Sequence, residues 1–382
     1  MRKGNRDVMT DHEETAVTLP VEPQRCAGLL TDWYRLHARP LPWRDTPDAY
    51  RVWVSEVMLQ QTRIEAVLPY FDRFMEALPT VRALAACDED RLLKLWEGLG
   101  YYSRVRNLQK AAVQLMERWE GKLPTDFEAL LSLPGIGEYT AGAVASIAYG
   151  IRVPAVDGNV LRVLARLTAC RGDVLQPSVK RELTAIAREM LPAQEPGRFN
   201  QAIMELGETV CLPNTMPRCE DCPLTEVCAA HRLGCEQQLP VRSPKKARTI
   251  QEKTVFVLIS SVGNRRVLLH KREPSGLLAG LWELPNEEGG LFPEEAARAV
   301  EERFEVTPQT VWELPDGKHI FTHVEWRMKG VAMRVSPFPL PDGYCWATAA
   351  ELAQSYALPS AFRTYSRLLP VLLEQREEEK TE

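Results

Sequence analysis

Residues 133–150 read LPGIGEYTAGAVASIAYG, and this stretch decides how the chain is read. It opens on Pro134-Gly135-Ile136-Gly137, a turn in which glycine supplies positive φ at no steric cost. It continues as an apolar run at helical spacing. The first N–H groups of such a helix have no partner within it and attract an anion. Gly135 and Gly137 leave room for a phosphate to reach the backbone.

The pattern is a helix-hairpin-helix, which grips a nucleic-acid backbone without reading its sequence. Taken alone it is equally a plain structural turn. Downstream lies VPAVDGNVLRVLARL, where Asp157 or Asn159 is placed to cap a helix from Val160. The alternative is that Asp157 is a catalytic carboxylate aimed where the hairpin points. Upstream, VWVSEVMLQQT (52–62) sets Glu56 inside an apolar run. Read as one helix, it puts Trp53, Glu56 and Gln60 on a shared face, with Gln61 well round from them.

Nine cysteines are present, and four fall in CLPNTMPRCEDCPLTEVC: Cys211, Cys219, Cys222 and Cys228. Thiolates gathered this closely suit a soft metal centre. Zinc usually takes two Cys-x2-Cys pairs, and only Cys219–Cys222 is one. Cys222-Pro223 and the four thiolates favour a [4Fe–4S] cube. Zinc and four buried free cysteines are the remaining alternatives.

The bulk numbers frame these motifs. The chain has 382 residues, 45 % apolar and 26 % charged, with a net charge of -5. Its length fits two or three domains. The mild acidity weighs slightly against a nucleic-acid binder, although local basic patches average away. No apolar run approaches the roughly 18–20 residues of a membrane helix. The N-terminus has no apolar core of a signal peptide. A cytoplasmic, monomeric protein is expected.

Along the chain we expect a disordered tail at 1–20, a helical domain at 21–234, a linker at 235–250, a small α+β domain at 251–370 and an acidic tail at 371–382. TVFVLISS and RRVLLHKR read as hairpin strands around VGN. HVEWRMKGVAMRV alternates with period two, PEEAARAVEERF reads as a helix, and a last helix is expected near 360–375.

A helix-hairpin-helix, an aspartate about twenty residues on and a four-cysteine loop together resemble the cluster-containing DNA glycosylases of the endonuclease III superfamily. LPWR (41–44), SEVMLQQT (55–62) and GLGYYSRVRNL (98–108) narrow the likeness to the A/G-specific adenine DNA glycosylase (MutY) family. The resemblance runs from about residue 24 to 368. It implies a mainly α glycosylase domain with an iron–sulfur loop and a C-terminal Nudix-like domain. It implies excision of adenine opposite 8-oxoguanine or guanine in double-stranded DNA, and association with the nucleoid. The base must first be flipped out of the stack.

The chemistry suits the residues. Adenine leaves readily once an imidazole-ring nitrogen is protonated, and burial disfavours the charged form of Glu56, the implied general acid. Asp157 is implied to stabilise or trap the oxocarbenium-like sugar, as carboxylates do in glycoside hydrolysis. Tyr139 and Asn159 are implied to assist. Tyr139 stands where lyase-competent relatives carry a Schiff-base lysine, so hydrolysis without efficient strand cleavage is expected.

Further contacts carry over by motif. Trp43, Arg44, Leu59, Ile64 and Gln201 are implied around the adenine pocket, and Arg39 as a further DNA or base contact. Gln61 and Tyr101 are implied as the wedge at the opened stack, Leu99 and Gly100 as DNA or base contacts, and Thr62 as facing 8-oxoguanine. Arg104 and Arg106 read as solvated residues or phosphate contacts. In the C-terminal domain GLLAGLWELP matches, and the 8-oxoguanine reader loop is Phe321-Thr322-His323, with Thr where Ser is common. PEEAARAVEERF lacks the Arg-Glu-x-x-Glu-Glu core of Nudix hydrolases, so no metal-dependent pyrophosphatase is expected. The gap from Cys211 to Cys219 holds seven residues where the family usually has six, which makes Cys235 the alternative first ligand.

Overall fold

The computed structural model describes residues 17–44, 48–244, 247–263 and 265–374. Most of the expected tails, 1–16 and 375–382, lie outside these. The chain forms two compact units, one running to Trp53 and resuming over Leu123–Pro244, the other made of Val54–Lys122 and Lys245–Glu382. The expected helical region 21–234 contributes residues to both units. Among the described residues no helix is long and apolar enough to cross a membrane.

The first unit is helical. Helices Pro23–His37, Gly158–Leu167, Pro177–Met190 and Pro196–Thr209 enclose a core that includes Leu30, Leu164, Met190 and Phe199, all fully buried. Helix Gly158–Leu167 is buried at every position from Val160 to Leu167. Val17 and Leu19, expected in the disordered tail, pack against this core. The hairpin begins at helix Phe127–Leu131, capped by Asp126, and ends in helix Glu138–Tyr149. Gly135 has φ +77, the left-handed turn that the sequence requires.

The expected linker is folded over its first half. Cys235 and Leu239 are buried with Ala230, and Val241 bridges to Asp173. Two apolar side chains in a polar stretch suffice because Arg166 donates to the carbonyls of Glu236 and Leu239 at 2.9 and 3.0 Å.

The second unit joins helices to a sheet. Its helices include Ile64–Ala77, Glu89–Leu95 and Ser103–Trp119. The strands are β1 (Thr249–Ser260), β2 (Val267–Lys271), β3 (Trp282–Glu283), β4 (Asn286–Glu288), β5 (Thr310–Ile320), β6 (Val324–Val335) and β7 (Tyr344–Ala347). The path is β3-β2-β1-β6-β5, with β4 on β1 and β7 on β2. β1 and β6 run parallel over twelve residue pairs, from Thr249↔Val324 to Ser260↔Val335. Helix Pro293–Phe304 covers one face through Ala296, Val300 and Phe304. The C-terminal segment covers the other through Phe362, Tyr365 and Leu369. Lys94 and Glu97 bind the helices to this domain: Lys94 donates to the carbonyls of Leu352 and Tyr356, and Glu97 accepts the Leu358 N–H.

Candidate active site and metal centre

Asp157 is the N-cap of helix Gly158–Leu167. Its Oδ1 accepts the Asn159 and Val160 N–H groups at 2.9 and 2.8 Å, and its Oδ2 accepts the Asn159 side-chain amide at 2.9 Å. The capping and catalytic readings are thus compatible, since the cap fixes the carboxylate. Burial pushes its pKa up, against those hydrogen bonds and the nearby Arg162. The segment before it is pinned by fully buried Asn200, which accepts from Ala155 N–H and donates to Ser146 and the Val153 carbonyl. Ser146 belongs to the hairpin helix, so hairpin and aspartate share one buried link.

Arg162 was not singled out by sequence. It donates to Asn159 Oδ1 and to the carbonyls of Gly207 and Cys211, all within 2.9 Å. Its only sequence signal is an arginine on the buried side of a helix one turn past Asn159. A Cβ on Gly207 would lie 2.8 Å from that of Asn159, so this close approach needs glycine. Tyr139 sits in the first turn of the hairpin helix, with its hydroxyl 3.4 Å from the Met204 sulfur. Gly135 and Gly137 are exposed at the turn.

Arg39 and Arg44 both meet Glu205, whose side chain is 1 % exposed. Arg39 Nε lies 2.5 Å from one oxygen and Arg44 Nη2 lies 2.8 Å from the other. Burial works to raise the Glu205 pKa, but the two guanidiniums outweigh it and hold the carboxylate low. Arg44 also lies over the Tyr34 ring, and Tyr34 donates to Gln201 at 2.7 Å. Trp43 is buried between these arginines in sequence. Glu205 is the residue that sequence reasoning missed here; four residues after Gln201, it lies one helical turn away on the same face.

The four cysteines line one cavity with Val163, Leu206 and Leu224. Cys211 lines it and Cys235 does not, which favours Cys211 as the first donor despite the extra residue. Burial pushes Cys219 up to about 11 and Cys222 up to about 12, so bound cationic metal must supply the drive to ionise them. Arg166 Nη1 donates to Cys211 sulfur at 3.2 Å, and such donors stabilise a thiolate. A four-sulfur donor set in an apolar cavity fits an iron–sulfur cube. Cys219, His231 and Glu236 also approach one another within 4.8 Å, a mixed set more typical of zinc.

In the second unit Glu56 is 6 % exposed, on helix Ala49–Leu59 among Trp53, Val54, Val57 and Met58. That helix ends three residues earlier than the quoted stretch, so Gln60 and Gln61 do not share its wheel. Gln61 instead has φ +60 and Tyr101 φ +47, left-handed values that are uncommon outside glycine. Gln61 is exposed, and so is Tyr101 at 49 %. Thr62 and Gly100 are partly exposed, while Ile64 and Leu99 are buried. Arg104 is neither solvated nor free for phosphate: its guanidinium bonds the carbonyls of both loops. Arg106 pairs with Glu89 at 2.6 Å.

At the β5–β6 tip, Phe321 N–H donates to the Val324 carbonyl, closing a tight turn. Thr322 and His323 are exposed, while the Phe321 ring packs on His319 and Trp326 at 4.5 and 4.9 Å.

Fold and site together define a helix-hairpin-helix base-excision repair protein with an appended Nudix domain. Residues 54–189 match the HhH-GPD superfamily base excision DNA repair protein family, and 254–368 match the NUDIX domain. A solved thermostable thymine-DNA glycosylase shares the fold, with TM-score 0.50 at 24 % identity, covering 56 % of this chain and 97 % of that one. The Homo sapiens adenine DNA glycosylase is 34 % identical over 406 residues, 90 % of this chain and 74 % of that protein. The Arabidopsis thaliana adenine DNA glycosylase is 35 % identical over 354 residues, 79 % of this chain and 56 % of that one. The chain belongs to the adenine DNA glycosylase family.

Proposed function

We propose that this enzyme flips adenine out of A:8-oxoguanine and A:G mispairs in duplex DNA and hydrolyses its N-glycosidic bond. The single observation that carries the reading is the Asp157–Asn159 cap, which holds a half-buried carboxylate with both oxygens engaged. Glu56 donates a proton to the adenine imidazole ring. The C–N bond breaks with its electron pair passing to the base. Asp157 faces the resulting positive sugar, and water adds to give the abasic site. Asn159 orients Asp157. Tyr139 supplies no amine, so no Schiff base forms and the strand is not efficiently cut.

The hairpin N–H groups at Gly135 and Gly137 grip the backbone, Gln61 and Tyr101 hold the stack open, and Thr62 and the Phe321–His323 tip meet 8-oxoguanine. Trp43, Arg44 and Gln201 contact the adenine, as do Leu59 and Ile64, and Arg39, Leu99 and Gly100 contact the DNA. Cys211, Cys219, Cys222 and Cys228 would hold a [4Fe–4S] cluster through four thiolates.

Single-turnover incubation with A:8-oxoguanine and A:G duplexes tests this reading. Free adenine is expected, with strand breaks appearing only after alkali. A borohydride-trapped adduct on oxidised-pyrimidine duplex, with adenine left intact, would point instead to a bifunctional pyrimidine glycosylase.

A further inference from the structure

Arg104 sits in the first turn of helix Ser103–Trp119. Its Nη1 donates to the carbonyls of Val57, Met58 and Gln60 at 2.8, 3.0 and 2.6 Å. Its Nη2 reaches the carbonyls of Leu99 and Gly100, both at 3.2 Å, and Thr62 Oγ1 at 3.5 Å. One guanidinium thus bonds two loops that are about forty residues apart in sequence. Val57 and Met58 are in the last turn of the helix that carries Glu56, where carbonyls lack intrahelical partners and a cation is favoured.

The two loops have a feature in common. Each presents an exposed side chain from a left-handed residue, Gln61 at φ +60 and Tyr101 at φ +47. Such conformations are strained and persist only where the surroundings over-determine them. Here the carbonyl before each strained residue, of Gln60 and of Gly100, is bonded to Arg104. The Trp96 indole N–H donates to the same Gly100 carbonyl at 3.1 Å, and the guanidinium lies over the Trp96 and Tyr101 rings. Burial lowers the Arg104 pKa to about 10, which still leaves it charged at neutral pH.

We infer that Arg104 is a positioning residue that locks the Gln61 and Tyr101 turns into one pre-formed wedge and ties that wedge to the end of the Glu56 helix. The wedge role rests on the function proposed above; the lock itself does not. The full lock needs a fork, because lysine offers a point charge that bonds fewer of these carbonyls at once. Pre-forming both turns spares the enzyme their ordering at the moment of base extrusion.

The full-length protein tests the lock in two ways. Backbone amide exchange at 60–62 and 99–101 is expected to rise together, by about tenfold or more, in Arg104→Met. Unchanged exchange would overturn the lock whatever the activity. The fluorescence rise on extrusion in duplexes with 2-aminopurine opposite 8-oxoguanine, and the single-turnover release of adenine from A:8-oxoguanine duplexes, are each expected to fall about 10- to 100-fold. The loss should be less than multiplicative with Gln61→Ala or Tyr101→Ala; independent, multiplying losses would overturn the proposal. If Arg104→Met does not fold, Arg104→Lys decides. An intermediate loss supports the lock, and wild-type exchange and extrusion contradict it. A wild-type protein that releases no adenine would count against the proposed activity, not against the lock, which the exchange data judge separately.

Discussion

Asp157 and Asn159 are bonded twice: the Asn159 backbone N–H reaches Oδ1 and its side-chain amide reaches Oδ2, both at 2.9 Å. Arg162 then holds the Asn159 oxygen at 2.9 Å, so carboxylate, amide and guanidinium form one fixed chain. The side-chain amide has its donor on Asp157 and its acceptor on Arg162, an orientation that aspartate at 159 cannot reproduce.

A pH dependence follows from the raised pKa of Asp157, which burial causes. The carboxylate must be ionised to face a positive sugar. Its contribution is complete above the raised pKa and lost as pH falls through it. The acid limb of the single-turnover rate should therefore lie above the ordinary aspartate value of 3.8. Asn159→Ala removes a hydrogen bond that favours the ionised form, so it should move the limb to still higher pH. A limb that stays put in that variant would separate Asn159 from the carboxylate.

Stability should depend on Glu205. Replacing it with Gln leaves Arg44 without its carboxylate partner and Arg39 with only Glu208, 2.7 Å from its Nη2. The cost is expected near the lower end of the range for a broken buried pair, about 3 kcal/mol, because the two arginines are 30 % and 16 % exposed and can rehydrate. The folded pKa of Glu205 lies below 4.5, so its stabilisation is present above pH 4.5 and lost as pH falls through the folded value. Denaturant unfolding at pH 7 and in acid should show the variant's deficit shrinking as pH falls. An equal deficit at both would contradict an ionic origin.

Which features were legible in sequence follows from where their partners lie. The hairpin turn, Asp157 at a helix start and the helix over Pro293–Phe304 are local patterns, and the structure reproduces them. The parallel pairing of β1 with β6 joins segments some 75 residues apart and leaves no local mark. The helix end at Leu59 was hidden because glutamine at 60 and 61 has no breaker character; the turn is imposed by Arg104. Arg104 itself was misread because its partners are backbone carbonyls, which every residue has. Glu205 was missed for a different reason: its arginines lie more than 160 residues away.

The metal site separates two cysteines. Cys211→Ser should lower iron content and the visible absorption of the purified protein, whereas Cys235→Ser should leave both unchanged, since only Cys211 lines the four-cysteine cavity. Iron lost in Cys235→Ser and kept in Cys211→Ser would reverse the assignment, and zinc in place of iron would remove the cluster.

The most direct test of the proposed chemistry is single-turnover release of adenine from an A:8-oxoguanine duplex by wild type and Glu56→Gln, with duplex affinity measured alongside. Glutamine keeps the size of the side chain but has no acidic proton. Release should fall by about 10²–10⁴, the range that general acid catalysis supplies, while binding persists. A Glu56→Gln protein that releases adenine at the wild-type rate would contradict the assignment of Glu56 as the proton donor.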